Sequence, residues 1–284
     1  MKGNFKTFLV NTLSKEEIVS VYKSYDILGD LAIIRVPESL QRCSQTIAEA
    51  IMKTHRHVKA VWCQTSPVSG NFRLRTLEWV AGERRTEAIH KEYGCVFKVD
   101  LAHCYFSPRL SYERMRIAKQ VRAGEVIVNM FAGVGCFSII IARQSKAEKI
   151  YSIDINPKAI EYMRENIRLN KVEEKVIPVQ GDSKQIIQER LQNIAERVLM
   201  PLPELAYEYL DCALSALKSN GERWIHYYDF THAEKDESPI KKIKAKISNK
   251  LRDLGVNFEM PFSRVVRTTG PNWYQIIVDI LVKK

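Results

Sequence analysis

A glycine-rich turn near the middle of the chain has the composition of a cofactor-binding loop. Gly133 and Gly135 lie in the run FAGVG, between a continuous apolar run and a helical pattern. Glycines there let the backbone approach a ligand closely, and the start of the next helix presents free N–H groups. A GxG pair alone is weak evidence, because a tight turn that binds nothing has the same sequence. We take Phe131, Ala132, Gly133 and Gly135 as candidate cofactor-binding residues.

Two carboxylates follow the next two predicted strands. Asp154 lies 19 residues beyond Gly135, at the end of the run KIYSIDI. This spacing is typical of a carboxylate that accepts hydrogen bonds from the hydroxyls of a ribose. Asp182 ends the third predicted strand, in a position to meet the exocyclic amine of an adenine. Asp154, its neighbour Ile155 and Asp182 therefore join the candidate cofactor-binding residues.

The turn distinguishes between two cofactor classes. A dinucleotide site carries a third glycine, in G-x-G-x-x-G, so that the helix packs closely under the pyrophosphate. Ser138 occupies that position here. S-adenosylmethionine has no phosphate and needs no such cradle. The pattern therefore favours S-adenosylmethionine and makes a dehydrogenase the weakest interpretation.

From about residue 112 onward, predicted strands alternate with predicted helices. Such alternation predicts a parallel, doubly wound sheet. Two final apolar runs with a short link predict an antiparallel hairpin at the sheet edge. Seven strands with an antiparallel last pair are typical of Rossmann-like class I methyltransferases. The predicted strands are VIVNMF, KIYSIDI, VIPVQ, RVLMPL, RWIHYYDF, FEMPFSRVVR and YQIIVDILV, and the helices are SYERMRIAKQV, FSIIIARQ, PKAIEYMRENIRLN, KQIIQERLQNI, ELAYEYLDCALSAL and residues 239–254.

The first hundred residues are less regular. Short β-rich runs (DLAIIRVP, HVKAVWC and GCVFKVD) surround the helical stretch SLQRCSQTIAEAIMKT, which indicates a small α+β unit. We therefore divide the chain into a small α+β domain that binds and positions RNA, residues 1–96, and a methyltransferase domain, residues 97–284.

Length and composition exclude several classes of protein. The chain has 284 residues, of which 45% are hydrophobic, enough for a sizeable core. It has no apolar run of transmembrane length and no secretory signal, so we expect a cytoplasmic protein without a membrane partner. The six cysteines show no metal-ligand spacing, so we expect reduced, buried thiols and no metal site.

The chain carries a formal net charge of +11. Such an excess attracts polyanions, although a basic surface alone does not establish nucleic-acid binding. The basic residues are concentrated in segments 109–122 and 241–252, and the second could equally be a solvated helix face.

Three segments resemble one known family. YFSPRLSYERMRIA, NMFAGVGCFSI and YSIDINPKAIEYMRENIRLNKV are similar to the archaeal and eukaryotic tRNA guanine-37 N1-methyltransferases, which include related wyosine-pathway enzymes. The resemblance runs from about residue 26 to the final strand. It implies a tRNA substrate bound through the anticodon loop and stem, and we expect a monomer. From the resemblance we expect no counterpart of the N-terminal domain that many members use to contact the tRNA elbow.

Methylation of guanine N1 requires a base near N1 and a cation or donor near O6. The resemblance implies that Glu113 is this base and that Arg73, in GNFR, is the O6 partner. It also implies that Tyr105 and Arg109, in YFSPRL, shape the substrate site. The residues alone leave other roles open: Glu113 as a salt-bridging helix residue, Arg73 as a surface residue and Tyr105 as core packing.

The sequence departs from the family pattern at two strand ends. The guanine enzymes carry Asn-Leu-Pro after the fourth strand, whereas this chain has Pro201, which offers neither a side-chain amide nor an N–H. We therefore place Pro201 in the substrate site and hypothesise that the enzyme also methylates the tricyclic wyosine precursor. Asn129 replaces an aspartate after the first strand and is expected to keep the turn hydrogen-bonded.

Two alternative functions remain. Transfer of the aminocarboxypropyl group from the same cofactor occurs in a related wyosine-pathway enzyme, but those enzymes differ at Arg109 and Glu113. A non-catalytic RNA-binding protein is the alternative from another class, and the intact turn, Asp154 and Glu113 count against it.

Overall fold

The computed structural model of the protein describes residues 5–283. Residue contacts divide the chain into two units, the first ending at Arg109 and the second beginning at Leu110. The division expected from the sequence, between residues 96 and 97, lies inside a strand of the first unit, Cys95–Asp100.

The first unit contains a four-stranded sheet, a separate hairpin and two α-helices. The sheet has the order β1-β2-β3-β4, with β2 and β3 parallel and the outer pairs antiparallel, and β5 pairs with β6. Helix α2 packs on this sheet through an apolar face that includes Ile47 and Ile51. The elements are β1 Asp26–Leu28, β2 Leu31–Ile34, β3 Ala60–Gln64, β4 Leu77–Gly82, β5 Glu87–Glu92, β6 Cys95–Asp100, α1 Lys15–Ser20 and α2 Ser44–Thr54.

The second unit alternates strands and helices, as predicted. Its strands are β7 Val126–Asn129, β8 Lys149–Asp154, β9 Val176–Gln180, β10 Arg197–Met200, β11 Arg223–His232, β12 Phe258–Gly270 and β13 Trp273–Val282. Its helices are α3 Ser111–Ala118, α4 Cys136–Gln144, α5 Pro157–Leu169, α6 Ser183–Arg190, α7 Pro203–Ala206, α8 Leu210–Ala216 and α9 Pro239–Asp253.

The seven strands of the second unit form one sheet in the order β12-β13-β11-β10-β7-β8-β9. Strands β7 to β11 are mutually parallel, and β13 is antiparallel to both β11 and β12. This confirms the predicted α/β fold with an antiparallel last pair. The strand order reverses between β7 and β10, and ligands of open α/β sheets bind outside the carboxyl ends of the strands at such a point.

Local sequence explains the elements nearest this point. Strand β10 is buried along its whole length, and α4 is buried from Cys136 to Ala142, because both lie inside the unit rather than at its surface. Helix α5 begins with Asn156 as its N-cap and Pro157 at its first position, a favourable start for a helix. Its apolar face, which includes Met163, is buried.

The structure corrects the prediction of one helix over ELAYEYLDCALSAL. Two short helices, α7 and α8, replace it, and Tyr209 lies at the break as the N-cap of α8. The Tyr209 phenol donates a hydrogen bond to Asp182 and its ring packs on Phe131, so side-chain contacts outside the helix accompany the break. Strands β1, β4 and β5 and helix α1 were not predicted, because they are short and weakly patterned.

All six cysteines lie within the described residues, and each is buried with a free thiol. Among residues 5–283, none of the helices combines the length and apolarity needed to cross a bilayer.

Candidate active site

The glycine-rich turn connects β7 to α4 at the carboxyl edge of the sheet. Gly133 and Gly135 both have positive φ, +56° and +91°, and Gly135 is the N-cap of α4. A Cβ atom on Gly135 would lie 2.8 Å from Cγ of Met163. The turn therefore requires glycine at this position, where α4 begins.

Asp154 ends β8 beside this turn. One carboxylate oxygen accepts a hydrogen bond from the Gly133 N–H at 2.6 Å, and the other accepts one from the Asn156 N–H at 2.9 Å. Burial raises the pKa of Asp154, and the two amide hydrogen bonds offset this only in part. Each oxygen retains acceptor capacity for a further donor. The following residue, Ile155, is 44% exposed and offers an apolar surface at the same edge.

Asp182 follows β9 and caps α6. Its Oδ1 accepts a hydrogen bond from the Lys184 N–H at 2.8 Å, and its Oδ2 accepts one from the Tyr209 hydroxyl at 2.7 Å. The Tyr209 ring packs edge-on against Phe131, with ring centroids 5.3 Å apart. Burial and the hydrogen bond to Asp182 raise the pKa of Tyr209, so the phenol remains a donor. These contacts fix Asp182 and Phe131 at the edge of the sheet.

The carboxylates and apolar side chains at this edge of the sheet fit S-adenosylmethionine. Two carboxylates can accept from ribose hydroxyls and an adenine amine, and Ile155 and Phe131 offer apolar contacts for a base. Asn129, fully buried at the end of β7, donates from its amide to Ser138 at 3.1 Å, as expected for a residue that ties the turn to α4. Its Oδ1 accepts no hydrogen bond within residues 5–283, which leaves an acceptor for a cofactor donor.

Glu113 lies in the first turn of α3, and its side chain is only 1% exposed. Its Oε2 accepts a hydrogen bond from Nε of Arg116 at 2.8 Å and lies 3.5 Å from the Tyr228 hydroxyl. Its Oε1 lies 3.2 Å from Nε of Arg264 but accepts no hydrogen bond from any described residue. Oε2 is therefore held by hydrogen bonds, whereas Oε1 has only the ion pair with Arg264 and can still accept a proton.

Three predicted substrate residues belong to the first unit. Arg73 has a positive φ of +55°, uncommon for a non-glycine residue and often found at functional sites. Its guanidinium carbon lies 4.7 Å from the centre of the Tyr105 ring, so the structure brings these two side chains together. Arg109 instead pairs with Asp26, at 2.7 Å.

The remaining substrate candidate, Pro201, directly follows β10 and is partly exposed. It lies at the carboxyl edge, as the turn and Asp154 do, because β7, β8 and β10 are parallel.

The basic segment 109–122 is not a continuous surface. Arg114 and Arg116 are buried, and Arg116 forms ion pairs with Glu113 and Asp279. Sequence reasoning missed the residues around Glu113, namely Arg116, Tyr228, Arg264 and Asp279. No sequence signal connects them, because they lie on α3, β11, β12 and β13 and meet only in the folded sheet.

Several basic side chains of the second basic segment, in α9, also have partners within the protein. Lys242 and Lys246 pair with Glu237 and Asp229, at 2.9 and 2.8 Å. Lys244 donates to a backbone carbonyl of β12. These contacts favour the interpretation of α9 as a packed, solvated helix.

Two family models match the chain. The TRM5/TYW2 methyltransferase domain matches residues 88–255, and the TYW2 N-terminal domain matches residues 5–86. A relative from Pyrococcus abyssi, tRNA (guanine(37)-N(1))-methyltransferase Trm5b, is 43% identical over 91% of this chain and 74% of its own length. A second, tRNA 4-demethylwyosine(37)-methyltransferase Taw21 from Saccharolobus solfataricus, is 38% identical over 92% of this chain and 94% of its own length.

Solved structures agree. The match to the crystal structure of Trm5b from Pyrococcus abyssi covers 100% of this chain and 82% of the Trm5b chain, with a TM-score of 0.87 and 40% identity. The match to aTrm5 in its complex with tRNALeu covers 100% of this chain and 79% of the aTrm5 chain, with a TM-score of 0.83 and 36% identity.

Proposed function

The chain belongs to the TRM5/TYW2 methyltransferase family, and we propose that it methylates N1 of guanine 37 in tRNA with S-adenosylmethionine as the donor. The observation that carries this proposal is the buried carboxylate of Glu113, with Oε2 held by Arg116 and Oε1 without a hydrogen bond from residues 5–283. A group that must accept the N1 proton needs such an oxygen.

The reaction exchanges one bond for another at N1. When bound, S-adenosylmethionine supplies an electrophilic methyl group on a sulfonium. Glu113 accepts the proton from N1 on Oε1, and the electron pair of that N–H bond becomes available for the new N–CH₃ bond. Arg73 carries a permanent positive charge suited to stabilising the charge that develops on O6. The products are 1-methylguanine in tRNA and S-adenosylhomocysteine, with the proton on Glu113.

Residues of the second unit hold the cofactor in this proposal. Gly133 and Gly135 admit it at the turn, Asp154 accepts from its ribose, and Asp182 accepts from its adenine amine. Ile155, Phe131 and Ala132 supply the apolar contacts. Support comes from the fixed carboxylates and from the exposed side chain of Ile155.

The tRNA contacts are proposed for residues of both expected domains. Residues 1–96 would position the anticodon loop and stem, and residues 97–284 would carry the methyltransferase chemistry. The target base must leave its stack to reach a buried carboxylate. Stacking on Tyr105 and phosphate contact by Arg109 suit that task. A monomer and a cytoplasmic location stay predictions.

A second substrate is favoured by Pro201. Where the guanine enzymes carry an asparagine, this residue offers no donor to a guanine edge, and the relative Taw21 is named for methylating 4-demethylwyosine. We propose that the tricyclic precursor is methylated as well. Aminocarboxypropyl transfer receives less support, because Glu113 has the environment of a proton acceptor.

A methyl-transfer assay with labelled S-adenosylmethionine tests both proposals. The substrates are unmodified tRNA with guanine at position 37, the same tRNA with adenine there, and tRNA that carries the precursor. Digestion to nucleosides locates the label. Label on N1 of guanine, absent with adenine, supports the main proposal, and label on the precursor supports the second. Absence of label from every substrate, despite measurable cofactor binding, would overturn both.

The variant Pro201→Asn sharpens the second test. It restores an amide at this edge without altering Glu113, so we expect guanine methylation to rise relative to precursor methylation. An unchanged ratio of guanine methylation to precursor methylation would show that Pro201 does not determine the specificity.

A further inference from the structure

A row of buried charges extends from Glu113 into the sheet. Arg116 donates from Nε to Glu113 at 2.8 Å, and its Nη1 and Nη2 donate to the two oxygens of Asp279 at 2.6 and 3.1 Å. The side chains of Arg116 and Asp279 are 9% and 1% exposed. One guanidinium therefore connects two carboxylates, and each of its three nitrogens has a partner.

Asp279 is itself fixed from the opposite side. Nδ1 of His226 lies 2.6 Å from Asp279, and Nε2 of His226 lies 2.7 Å from Nη1 of Arg197. Because arginine offers only donors, Nε2 must accept and Nδ1–H must donate, so the imidazole is neutral with one defined tautomer. Burial lowers the pKa of His226, in agreement with this arrangement. Arg197 in turn makes two hydrogen bonds to Glu125, at 2.7 and 3.0 Å.

Asp279 remains ionised in this setting. Burial alone would raise its pKa, but His226 and the Arg116 guanidinium outweigh burial and hold the pKa well below its ordinary value. Gln120 adds a further donor at 3.2 Å. The negative charge of Asp279 therefore faces Arg116 permanently.

We infer that Arg116, clamped by Asp279, is the positioning residue that holds the Oε2 atom of Glu113 and leaves Oε1 as the proton acceptor. This inference rests on the proposed role of Glu113 as the base. The planar guanidinium has a fixed fork geometry, so its two bonds to Asp279 set its plane, and that plane sets the direction from which Nε reaches Glu113. Neither Arg116 nor Asp279 contacts the substrate in this account.

Three side chains face Glu113: Arg116 on its own helix, Tyr228 on β11 and Arg264 on β12. Burial and the charge of Glu113 raise the pKa of Tyr228, which stays a neutral phenol.

A double-mutant cycle separates this role from a general contribution to folding. Asp279→Asn keeps the shape of the side chain but removes the charge. It should lower the single-turnover rate of methyl transfer by about tenfold to a hundredfold, the effect of misplacing a reacting group. The dissociation constant for S-adenosylmethionine should not change.

The same substitution in a Glu113→Gln background should leave the residual rate unchanged, because Asp279 acts through Glu113. Asp229→Asn is the matched control. Asp229 is also a buried carboxylate of the sheet, bonded to Tyr227 and Lys246 at 2.7 and 2.8 Å, but it does not contact Glu113 or Arg116. We expect it to reduce stability without slowing methyl transfer.

The outcomes distinguish failure of the proposed function from failure of the positioning role alone. Full activity of Glu113→Gln would overturn the base and with it the proposed function. An inactive Glu113→Gln together with an unaffected Asp279→Asn would overturn the positioning role alone, as would equal losses in both backgrounds. If Asp279→Asn does not fold, Arg116→Lys carries the same test, since lysine keeps the buried cation but loses the fork. An Arg116→Lys variant with the wild-type rate of methyl transfer would also overturn the inference.

Discussion

Replacement of Gly135 by alanine tests the shape of the cofactor turn directly. Gly135 has φ +91°, and an added Cβ would lie 2.8 Å from Met163 Cγ and 3.1 Å from Ile139 Cδ1. The left-handed conformation costs an alanine about 1–2 kcal/mol. Insertion of a methyl group among buried side chains costs about 1–3 kcal/mol more. We therefore expect a loss of about 2–5 kcal/mol in the free energy of unfolding.

Gly124→Ala isolates the first of these two contributions. Gly124 has φ +79°, but no atom lies within 4 Å of its added Cβ. Only the conformational cost, about 1–2 kcal/mol, should appear. The entropy that alanine removes from the unfolded chain is the same in both variants and cancels. The difference between the variants, about 1–3 kcal/mol, therefore measures the close packing of the turn.

Denaturant unfolding of both variants, with calorimetric titration of S-adenosylmethionine, gives the required quantities. Gly135→Ala should also raise the cofactor dissociation constant, because relief of the clash with Met163 and Ile139 requires the backbone of the turn to shift. Gly124 precedes β7, at the opposite edge of the sheet, and its replacement should leave cofactor binding unchanged. Equal destabilisation by the two variants would refute the reasoning, because Met163 and Ile139 would then accommodate the methyl group freely.

Three further predictions concern the carboxylates. Glu113→Gln should reduce methyl transfer roughly a hundredfold to ten-thousandfold without altering cofactor affinity, and single-turnover rates near wild type would dismiss Glu113 as the base. Asp154→Ala should raise the cofactor dissociation constant roughly tenfold to a hundredfold, the worth of a charged hydrogen bond, and an unchanged constant in calorimetry would remove the ribose assignment. Because the folded-state pKa of Asp279 is depressed, its ionisation stabilises the fold above about pH 4, and this stability is lost as the pH falls further. Asp279→Asn should therefore lose less unfolding free energy on acidification than the wild type, and parallel losses in denaturant melts across pH would contradict this.

The second unit could be predicted from the sequence almost completely. Strands β7 to β11 are rich in apolar residues and are separated by segments long enough for helices, so their alternation implied a parallel sheet. The position of the turn and of Asp154 followed from the same pattern, because both lie at strand ends. The break between α7 and α8 could not be predicted. It coincides with contacts that Tyr209 makes with Asp182 and Phe131, outside its own helix.

The surroundings of Glu113 were beyond sequence reasoning for a physical reason. Arg116 and Asp279 are 163 residues apart, and their contact requires β13 to lie between β11 and β12. The antiparallel register pairs Asp279 with His226, and this sets the whole row of charges. Read locally, segment 109–122 predicts an exposed basic surface, because composition does not reveal that Arg114 and Arg116 are buried.

This arrangement also separates the two tasks of the site. The candidate cofactor residues follow the parallel strands β7, β8 and β9, whereas the side chains around Glu113 come from α3, β11 and β12. Within residues 5–283, Asp154 and Asp182 share no hydrogen bond or ion pair with Glu113 or Arg116. Changes beyond about 7–10 Å that share no partner contribute additively. Substitutions at Asp154 should therefore act on cofactor binding and those at Arg116 on the rate of methyl transfer, and the combined variant should show the product of the two effects.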